Sequence, residues 1–343
     1  MIETRVDTPT EADTPDAGHS CSFIIPARNE ESHILACMRS LQSQQTRNTK
    51  ALNIQLIVVD NTSTDKTAEI AAQCGAKVIN VPPGNPGRAR NAGVKQSASE
   101  YIAFIDADCV LPDNWLLNSI DTLIKPQVVA VGSPQAPAPH DAGWVERVWV
   151  NTIIPEESTE WKPVDWLPSF NLLLRRSDFV SAGGFDESLQ TCEDSDLSYR
   201  LGKRGKLVLN HVTPVRHLGE SKTLLEFFRR EMWRSRGNLS SALKRGTVRE
   251  EFTSLFIPFS FALTFSAVLI SLLLTLLLQL PIVKFLTPVG LGLILGPLVV
   301  SIAKKGVNDC IPRAVLIATY LLARGTGLVV PARRVERRSK AIA

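Results

Sequence analysis

Two carboxylates stand directly after a strand-like run in the sequence. The run YIAFI at 101–105 is apolar and is followed by Asp106, Ala107 and Asp108. Two like charges at the end of a buried strand repel each other, and their burial is costly unless a cation lies between them. The spacing therefore predicts either a solvated turn or a site that holds a cation.

Polar residues also follow two earlier strand-like runs. The run beginning at Cys21 ends in PARNE at 26–30, and the run NIQLIVVD ends in DNTS at 60–63. The carboxyl ends of parallel strands share one edge of a sheet, and ligands bind in the crevice beyond that edge. We therefore expect the three polar strand ends, at 26–30, 60–63 and 106–108, to converge on one crevice.

Strand and helix patterns alternate from Cys21 to Asp108, which is typical of an α/β fold with a mostly parallel sheet covered on both faces. The chain has neither a GxxxxGK[ST] loop nor a GxGxxG turn after a strand. This absence argues against a nucleoside triphosphatase and against a dinucleotide enzyme. Any bound phosphate should therefore be handled by a metal and by arginines.

The last third of the 343-residue chain differs sharply in composition from the rest. From Phe252 no charged residue occurs until Lys284, a run longer than the roughly 20 residues that cross a bilayer. Within the membrane region 251–331 we predict two spanning helices at about 253–280 and 286–303. A third apolar segment at 314–331, interrupted by Arg324, should be interfacial or re-entrant, and three spans remain the alternative.

The charges outside the apolar segments predict how the chain is arranged at a membrane. The polar, acidic residues 1–20 are expected to form a disordered tail without a signal peptide, which leaves the catalytic part in the cytoplasm. Basic residues crowd an amphipathic linker at 226–250 and the tail at 332–343, as expected beside anionic lipid. We predict a multi-pass protein of the cell (inner) membrane. No base-reading motif accompanies the basic residues, so no nucleic-acid partner is expected.

Six sequence motifs occur together in a characteristic order. Their ordered set resembles the family 2 glycosyltransferases, which have the GT-A fold: a nucleotide-sugar-binding, Rossmann-like, mostly parallel sheet. The resemblance covers the predicted domain at 21–225 and implies transfer of a sugar from a nucleotide-diphosphate sugar, with inversion. The motifs are FIIPARNEE (23–31), VVDNTSTDKT (58–67), GRARNAGV (87–94), FIDADCVLPDNWL (104–116), GGFDESL (183–189) and CEDSDLSYRLGKRG (192–205).

The resemblance assigns the carboxylate pair to a metal site. Asp106 and Asp108 match the family's DxD motif, which holds Mg2+ or Mn2+ against the diphosphate. Asp108 would ligate the ion, and Asp106 would approach the ribose or a water on the ion. His217 is a candidate for a further metal or diphosphate contact, with a packed or surface histidine as the alternative.

The resemblance also implies a set of donor-binding residues near the first four strands. The usual Asp-Asp-Gly-Ser of the family is replaced here by DNTS at 60–63, which leaves the details of base recognition open. A helix cap is the alternative role for the aspartate of that motif, and backbone contact is expected from the alanine at the end of the first strand. The donor-binding residues implied are Pro26, Ala27, Glu30, Asp60, Asn61, Arg90 and Asp106.

The catalytic residues implied by the family are Asp194 and Glu193. Asp194 would deprotonate the acceptor hydroxyl, and Glu193 would place the acceptor or support the site. The alternative is that both carboxylates simply favour a helix N-terminus. RREMW at 229–233 stands where processive synthases have QxxRW, and this difference argues against a processive enzyme.

Membrane anchoring would restrict the acceptor to a membrane-associated molecule. A lipid-linked or glycan acceptor in cell-envelope polysaccharide or glycolipid biosynthesis is expected. Two other classes remain as alternatives. One is a non-catalytic scaffold of a glycan assembly complex, and the other is a nucleotidyltransferase, which would usually have a glycine-rich basic loop after the first strand.

Overall fold

The computed structural model describes residues 20–46, 52–154, 161–278, 283–305 and 309–329. The strands are β1 Ser20–Ala27, β2 Asn53–Asp60, β3 Lys77–Asn80, β4 Tyr101–Ile105, β5 Cys109–Val110, β6 Val128–Gly132, β7 Trp161–Val164, β8 Asn171–Arg175, β9 Lys206–Asn210 and β10 Arg216–His217. The helices are α1 Ile34–Thr46, α2 Thr67–Gln73, α3 Pro86–Lys95, α4 Trp115–Leu123, α5 Trp144–Ile153, α6 Arg176–Ser181, α7 Glu193–Gly202, α8 Leu224–Ser235, α9 Asn238–Arg245, α10 Phe252–Leu278, α11 Val283–Lys305 and α12 Cys310–Val329.

In the described part of the chain, eight strands form one sheet in the order β3-β2-β1-β4-β8-β6-β9-β7. The pairs β1–β2, β1–β4, β2–β3 and β6–β9 are parallel, whereas β8 and β7 run antiparallel to their neighbours. A separate antiparallel pair joins β5 to β10. The predicted α/β fold with a mostly parallel sheet is confirmed.

Helices cover both faces of the sheet, and this explains the continuous apolar runs in the sequence. Phe23 and Ile25 of β1 pack into one buried cluster with residues of α1 and α4, and Ile24 packs into a second cluster with residues of α3 and α7. Both faces of a central strand are therefore removed from water, so its residues need no polar alternation. The polar ends of β1, β2 and β4 lie at one edge, because the three strands are parallel neighbours.

The region after β10 contains two helices, α8 and α9, where the sequence predicts a basic amphipathic helix or linker at 226–250. Its contact with a membrane interface stays a prediction. The third apolar segment forms α12, which packs on α8 and α5 through a buried cluster that includes Phe227, Val148 and Leu316. This segment is therefore seated on the sheet domain as well as on α10.

Within the described residues, α10 is the one helix long and apolar enough to cross a membrane, over Phe252–Thr275. Only 6% of the apolar stretch of this helix is buried inside the folded chain. The predicted second span at 286–303 lies within α11, and spanning by α11 stays a prediction. The predicted tails at 1–20 and 332–343 lie outside the described residues, apart from Ser20, which begins β1.

Candidate active site

Asp108 lies where β4 ends, and the chain from β10 closes over it. The backbone N–H of Leu218 donates to the Asp108 carbonyl at 2.7 Å, and His217 pairs with Cys109 across β10 and β5. As a result Nε2 of His217 lies 3.5 Å from Oδ1 of Asp108. Residues more than 100 positions apart in the sequence thus share one site.

The ligand atoms of Asp108, Cys109 and His217 lie within 4.8 Å of one another. Burial raises the pKa of the Cys109 thiol well above its usual value. The carboxylate of Asp108 and the imidazole of His217 are the candidate ligands for a hard divalent cation, which prefers oxygen and nitrogen to sulfur. Both are only partly buried, which leaves room for a ligand on their open side.

Three residues of this site had no signal in the sequence analysis: Gly219, Glu220 and Arg230. Nδ1 of His217 lies 3.5 Å from Oε1 of the buried Glu220 and has no hydrogen-bond partner among the described residues. Arg230 donates to the carbonyl of Gly219 and lies 3.6 Å from Glu220. Gly219 passes so close to Asp108 that a Cβ would overlap Oδ2 of that carboxylate. The close approach of Gly219 to Asp108 is visible only in the folded chain, so the sequence could not indicate it.

Arg90 joins the two carboxylate motifs. Its Nη2 donates to Oδ1 of Asp106 at 2.7 Å, and its Nη1 donates to Oε1 of Glu193 at 2.8 Å. Burial opposes the charge on this guanidinium, but the two carboxylates outweigh it, and the pKa of Arg90 is raised. Asp106 is therefore held by Arg90 and lies outside the cluster formed by Asp108 and His217.

Asp194 lies beside Glu193 in the first turn of α7. Burial, reinforced by the charge of Glu193, raises the pKa of Asp194 to about 6. Its Oδ1 accepts from the backbone N–H of Ser195 at 2.7 Å. A carboxylate with a pKa in this range is ionised at neutral pH and can accept a proton efficiently.

The end of β1 supplies Pro26, Ala27 and Glu30. Ala27 is buried, and its carbonyl accepts from the N–H of Asn61 at 2.8 Å. Burial raises the pKa of Glu30, although a 2.9 Å bond from His33 opposes this shift. Glu30 is close enough to Asp106 and Asp108 for their charges to raise its pKa further.

Asp60 and Asn61 at the end of β2 differ in what they leave available. Among the described residues, the buried Oδ1 of Asp60 has no hydrogen-bond partner, while Oδ2 accepts from the N–H of Ser63. Both amide atoms of Asn61 are bonded to the backbone of Gly84, at 2.8 and 3.0 Å. Asp60 thus has one oxygen free to accept a hydrogen bond from a ligand. Both polar atoms of the Asn61 side chain are used to hold the loop before α3.

The fold matches that of known GT-A proteins. The mannosyltransferase PcManGT from Pyrobaculum calidifontis, solved in complex with GDP-Man and Mn2+, superposes with a TM-score of 0.60. The match covers 94% of this chain and 90% of that one at 16% identity, so it establishes the fold alone.

Residues 22–181 match the family described as Glycosyl transferase family 2. This match covers less than half of the chain and agrees with the resemblance that the motifs indicated. It is 39% identical over 108 residues to the 4,4'-diaponeurosporenoate glycosyltransferase of Staphylococcus haemolyticus, covering 29% of this chain and 27% of that protein. It is 28% identical over 203 residues to the succinoglycan biosynthesis protein ExoA of Rhizobium meliloti, covering 54% and 59%. The chain thus spans about a quarter to three fifths of these relatives.

Proposed function

We propose that this protein is an inverting, divalent-metal-dependent glycosyltransferase that moves a sugar from a nucleoside-diphosphate sugar to a membrane-associated acceptor. The observation that carries the proposal is the linkage of Asp106, Arg90 and Glu193, which holds the end of β4 next to the candidate base Asp194. A metal-side group and a base then face one crevice, as a single in-line displacement requires.

Each residue has a defined task in this reaction. Asp60, with its unpartnered Oδ1, accepts a hydrogen bond from the nucleoside. Asp194 takes the proton of the acceptor hydroxyl as the oxygen attacks the anomeric carbon and the bond to the diphosphate breaks. Arg90 keeps Asp106 and Glu193 in place while this charge moves.

The residues at the end of β4 fit a Mg2+ or Mn2+ ion. Asp108 and His217 would hold it, with Glu220 beside the imidazole, and Asp106 would approach the ribose or a water on the ion. When bound, the ion would neutralise the charge that develops on the departing nucleoside diphosphate. The Mn2+ and GDP-Man in the PcManGT complex support this assignment.

The position of α10 supports a lipid-linked or glycan acceptor at the cytoplasmic face of the cell membrane. The helix is apolar and almost uncovered, and α12 packs between it and α8. The carbonyl of Arg234 in α8 lies 4.0 Å from Sγ of Cys192, two residues before Asp194. The acceptor side of the site is therefore adjacent to the helices that would contact lipid. The name of the relative ExoA supports a role in polysaccharide synthesis.

The test is nucleoside diphosphate release by the purified full chain in detergent. UDP-, GDP- and dTDP-sugars are supplied in turn with Mn2+ or Mg2+, with and without bacterial membrane lipids. We expect release from one donor, lost with EDTA and in Asp108→Asn, and retained in Asp113→Asn, which alters an aspartate five residues further on.

Release that survives EDTA would contradict the metal-dependent mechanism. Absence of release with every donor, even with membrane lipids, would overturn the enzymatic proposal and favour the scaffold alternative.

A further inference from the structure

Glu231 is a buried carboxylate between two helices outside the sheet domain. Its side chain is 1% exposed and lies in the middle of α8. Oε1 accepts from Nη1 of Arg234 at 2.7 Å, and Oε2 accepts from Nε of Arg324 in α12 at 3.1 Å. Arg234 lies in α8 with Glu231, so the bond from Arg324 is the ion pair that joins α12 to α8 and favours one position of α12.

The two helices also approach each other closely at this point. A Cβ at Gly327 would overlap the backbone carbonyl of Met232 and the hydroxyl of Ser235. Arg324 therefore lies one turn from a contact that only a glycine permits. The geometry of α12 relative to α8 is narrowly defined by these two features.

From Arg324 the contacts continue to Cys192, the residue before α7, which contains the candidate base Asp194. Oriented by its neighbours, the Asn238 amide accepts from Nη1 of Arg324 at 3.0 Å and donates to the Arg234 carbonyl at 3.3 Å. In this orientation the amide nitrogen of Asn238 also lies 2.8 Å from Sγ of Cys192. Cys192 has a left-handed backbone conformation, φ 67°, and directly precedes Glu193.

Further bonds join this region to the acceptor loop, defined here as residues 183–192, which leads into α7 and Asp194. The N–H of Gly237 donates to Oγ1 of Thr191 at 2.8 Å, and Nζ of Lys244 pairs with Asp186 at 2.9 Å. The acceptor loop is thus attached along its length to the segment 237–244. Its position depends on where α8 and α9 lie.

We propose that Arg324 is a positioning residue, which holds the acceptor loop and Asp194 in reactive geometry through Glu231 and Asn238. Arg324, near the end of α12, would then influence the geometry of the active site from outside the sheet domain. This inference rests on the proposed function, because it concerns the base of that reaction. The donor residues at the ends of β1 and β2 lie on elements other than α8, α9 and α12.

The test compares Arg324→Met, Arg324→Lys and Asn238→Ala in the full chain. The donor identified in the panel and a bacterial membrane lipid extract serve as substrates, and donor affinity is measured separately by calorimetry. Arg313→Met is the matched control, since Arg313 is a buried arginine of the same helix whose Nη1 donates to the Ser301 carbonyl of α11.

We expect Arg324→Met and Asn238→Ala to lower kcat by about 10- to 100-fold, the cost of a small displacement of a reacting group. Donor Kd should change much less than kcat, because the donor residues at the ends of β1 and β2 belong to elements that Arg324 does not contact. Arg324→Lys keeps the ion pair but cannot also reach Asn238, so it should retain an intermediate kcat. Arg313→Met should retain the wild-type kcat.

Wild-type kcat in both Arg324→Met and Asn238→Ala would overturn the inference while leaving the proposed function intact. So would an equal loss of donor affinity and kcat, because the pair would then support the whole fold instead of the loop. An inactive wild-type chain would contradict the proposed function itself, so the two failures are distinguishable.

Discussion

At the scale of single residues, Arg90 is the group on which both carboxylate motifs depend. It is 3% exposed and bonds to Asp106 on one side and Glu193 on the other. Phe185 of the GGFDESL motif packs against its guanidinium at 5.5 Å from the ring centre. Three motifs far apart in the sequence therefore meet at one side chain.

Replacing Arg90 with methionine should destabilise the fold strongly. Two carboxylates would be left without their cation, and breaking a buried pair in this way costs about 3–5 kcal/mol. Chemical denaturation measures the change in free energy of unfolding. Arg88→Met, an exposed arginine of the same helix, is the control and should change it by less than about 0.5 kcal/mol. Equal stability of the two variants would contradict the role given to Arg90.

The pH dependence of the rate should report the ionisation of Asp194. Its pKa is raised from 3.8 to about 6, so the carboxylate form needed by a base is lost as the pH falls through about 6. We expect kcat to fall about tenfold for each pH unit below that point. Initial rates between pH 5 and 8 measure this decrease. A kcat that does not change down to pH 5 would exclude Asp194 as the base.

The same raised pKa predicts a gain in stability when the charge is removed. The folded protein binds a proton on Asp194 more tightly than the unfolded chain, so the ionised carboxylate costs stability above pH 6. Asp194→Asn should therefore be inactive yet melt at a higher temperature than wild type at pH 7.5, with little difference at pH 4. Thermal melts at the two pH values test the sign.

At the scale of elements, the packing of α3 on the sheet positions Arg90. Gly93, one turn further along the helix, faces β1 and β2 so closely that a Cβ would overlap Ile24 and lie 3.0 Å from Cγ2 of Val59. The glycine thus lets α3 approach the strands whose ends form the donor side. A larger residue would push the helix, and Arg90 with it, away from the sheet.

Gly93→Ala should cost about 1–3 kcal/mol of folding free energy because the core is already full there. Gly202→Ala is the matched control, because among the described atoms nothing lies within 4 Å of a Cβ at that helical glycine. The control should be neutral or more stable by up to about 1 kcal/mol. Denaturant melts measure both, and a neutral Gly93→Ala would contradict the close packing.

At the scale of the whole molecule, the chain combines a sheet domain with an apolar helix that its own residues leave uncovered. Leu269 and Leu273 in α10 are each more than half exposed, 51% and 56%. An apolar helix of this length with so little cover is unfavourable in water, and a bilayer would remove the exposed area from it.

Two arginines in α10 should weaken membrane association. Leu269→Arg with Leu273→Arg would add about 2.5–3.5 kcal/mol each to insertion of the helix centre. We expect the wild-type chain in the membrane pellet after carbonate extraction and the double variant largely in the supernatant. Ile124→Arg, at an equally exposed apolar position beside α4, is the control and should stay in the pellet. An unchanged pellet for the double variant would contradict insertion of α10.

The sequence alone determined the α/β class, the place of Asp60, Asp106 and Asp108 at strand ends, and the apolar character of the last third. Each of these follows from local information, because the period of apolar residues and the polar residue after a strand are read over ten residues or fewer. The order of the motifs added a resemblance to a known family. The resemblance also assigned Asp106, Asp108, Asp194 and His217, although their roles stay proposals.

Only the tertiary structure decided which of these groups touch. Asp106 bonds to Arg90, Asp108 faces His217, and the amide of Asn61 is hydrogen-bonded to the backbone of Gly84. Spacing in the sequence reveals none of these contacts. Glu220, Glu231 and Arg324 were missed because a buried charge is recognised only by its partner, and the partners lie up to 93 positions away. Long-range electrostatic pairs depend on packing of whole elements, which no local pattern encodes.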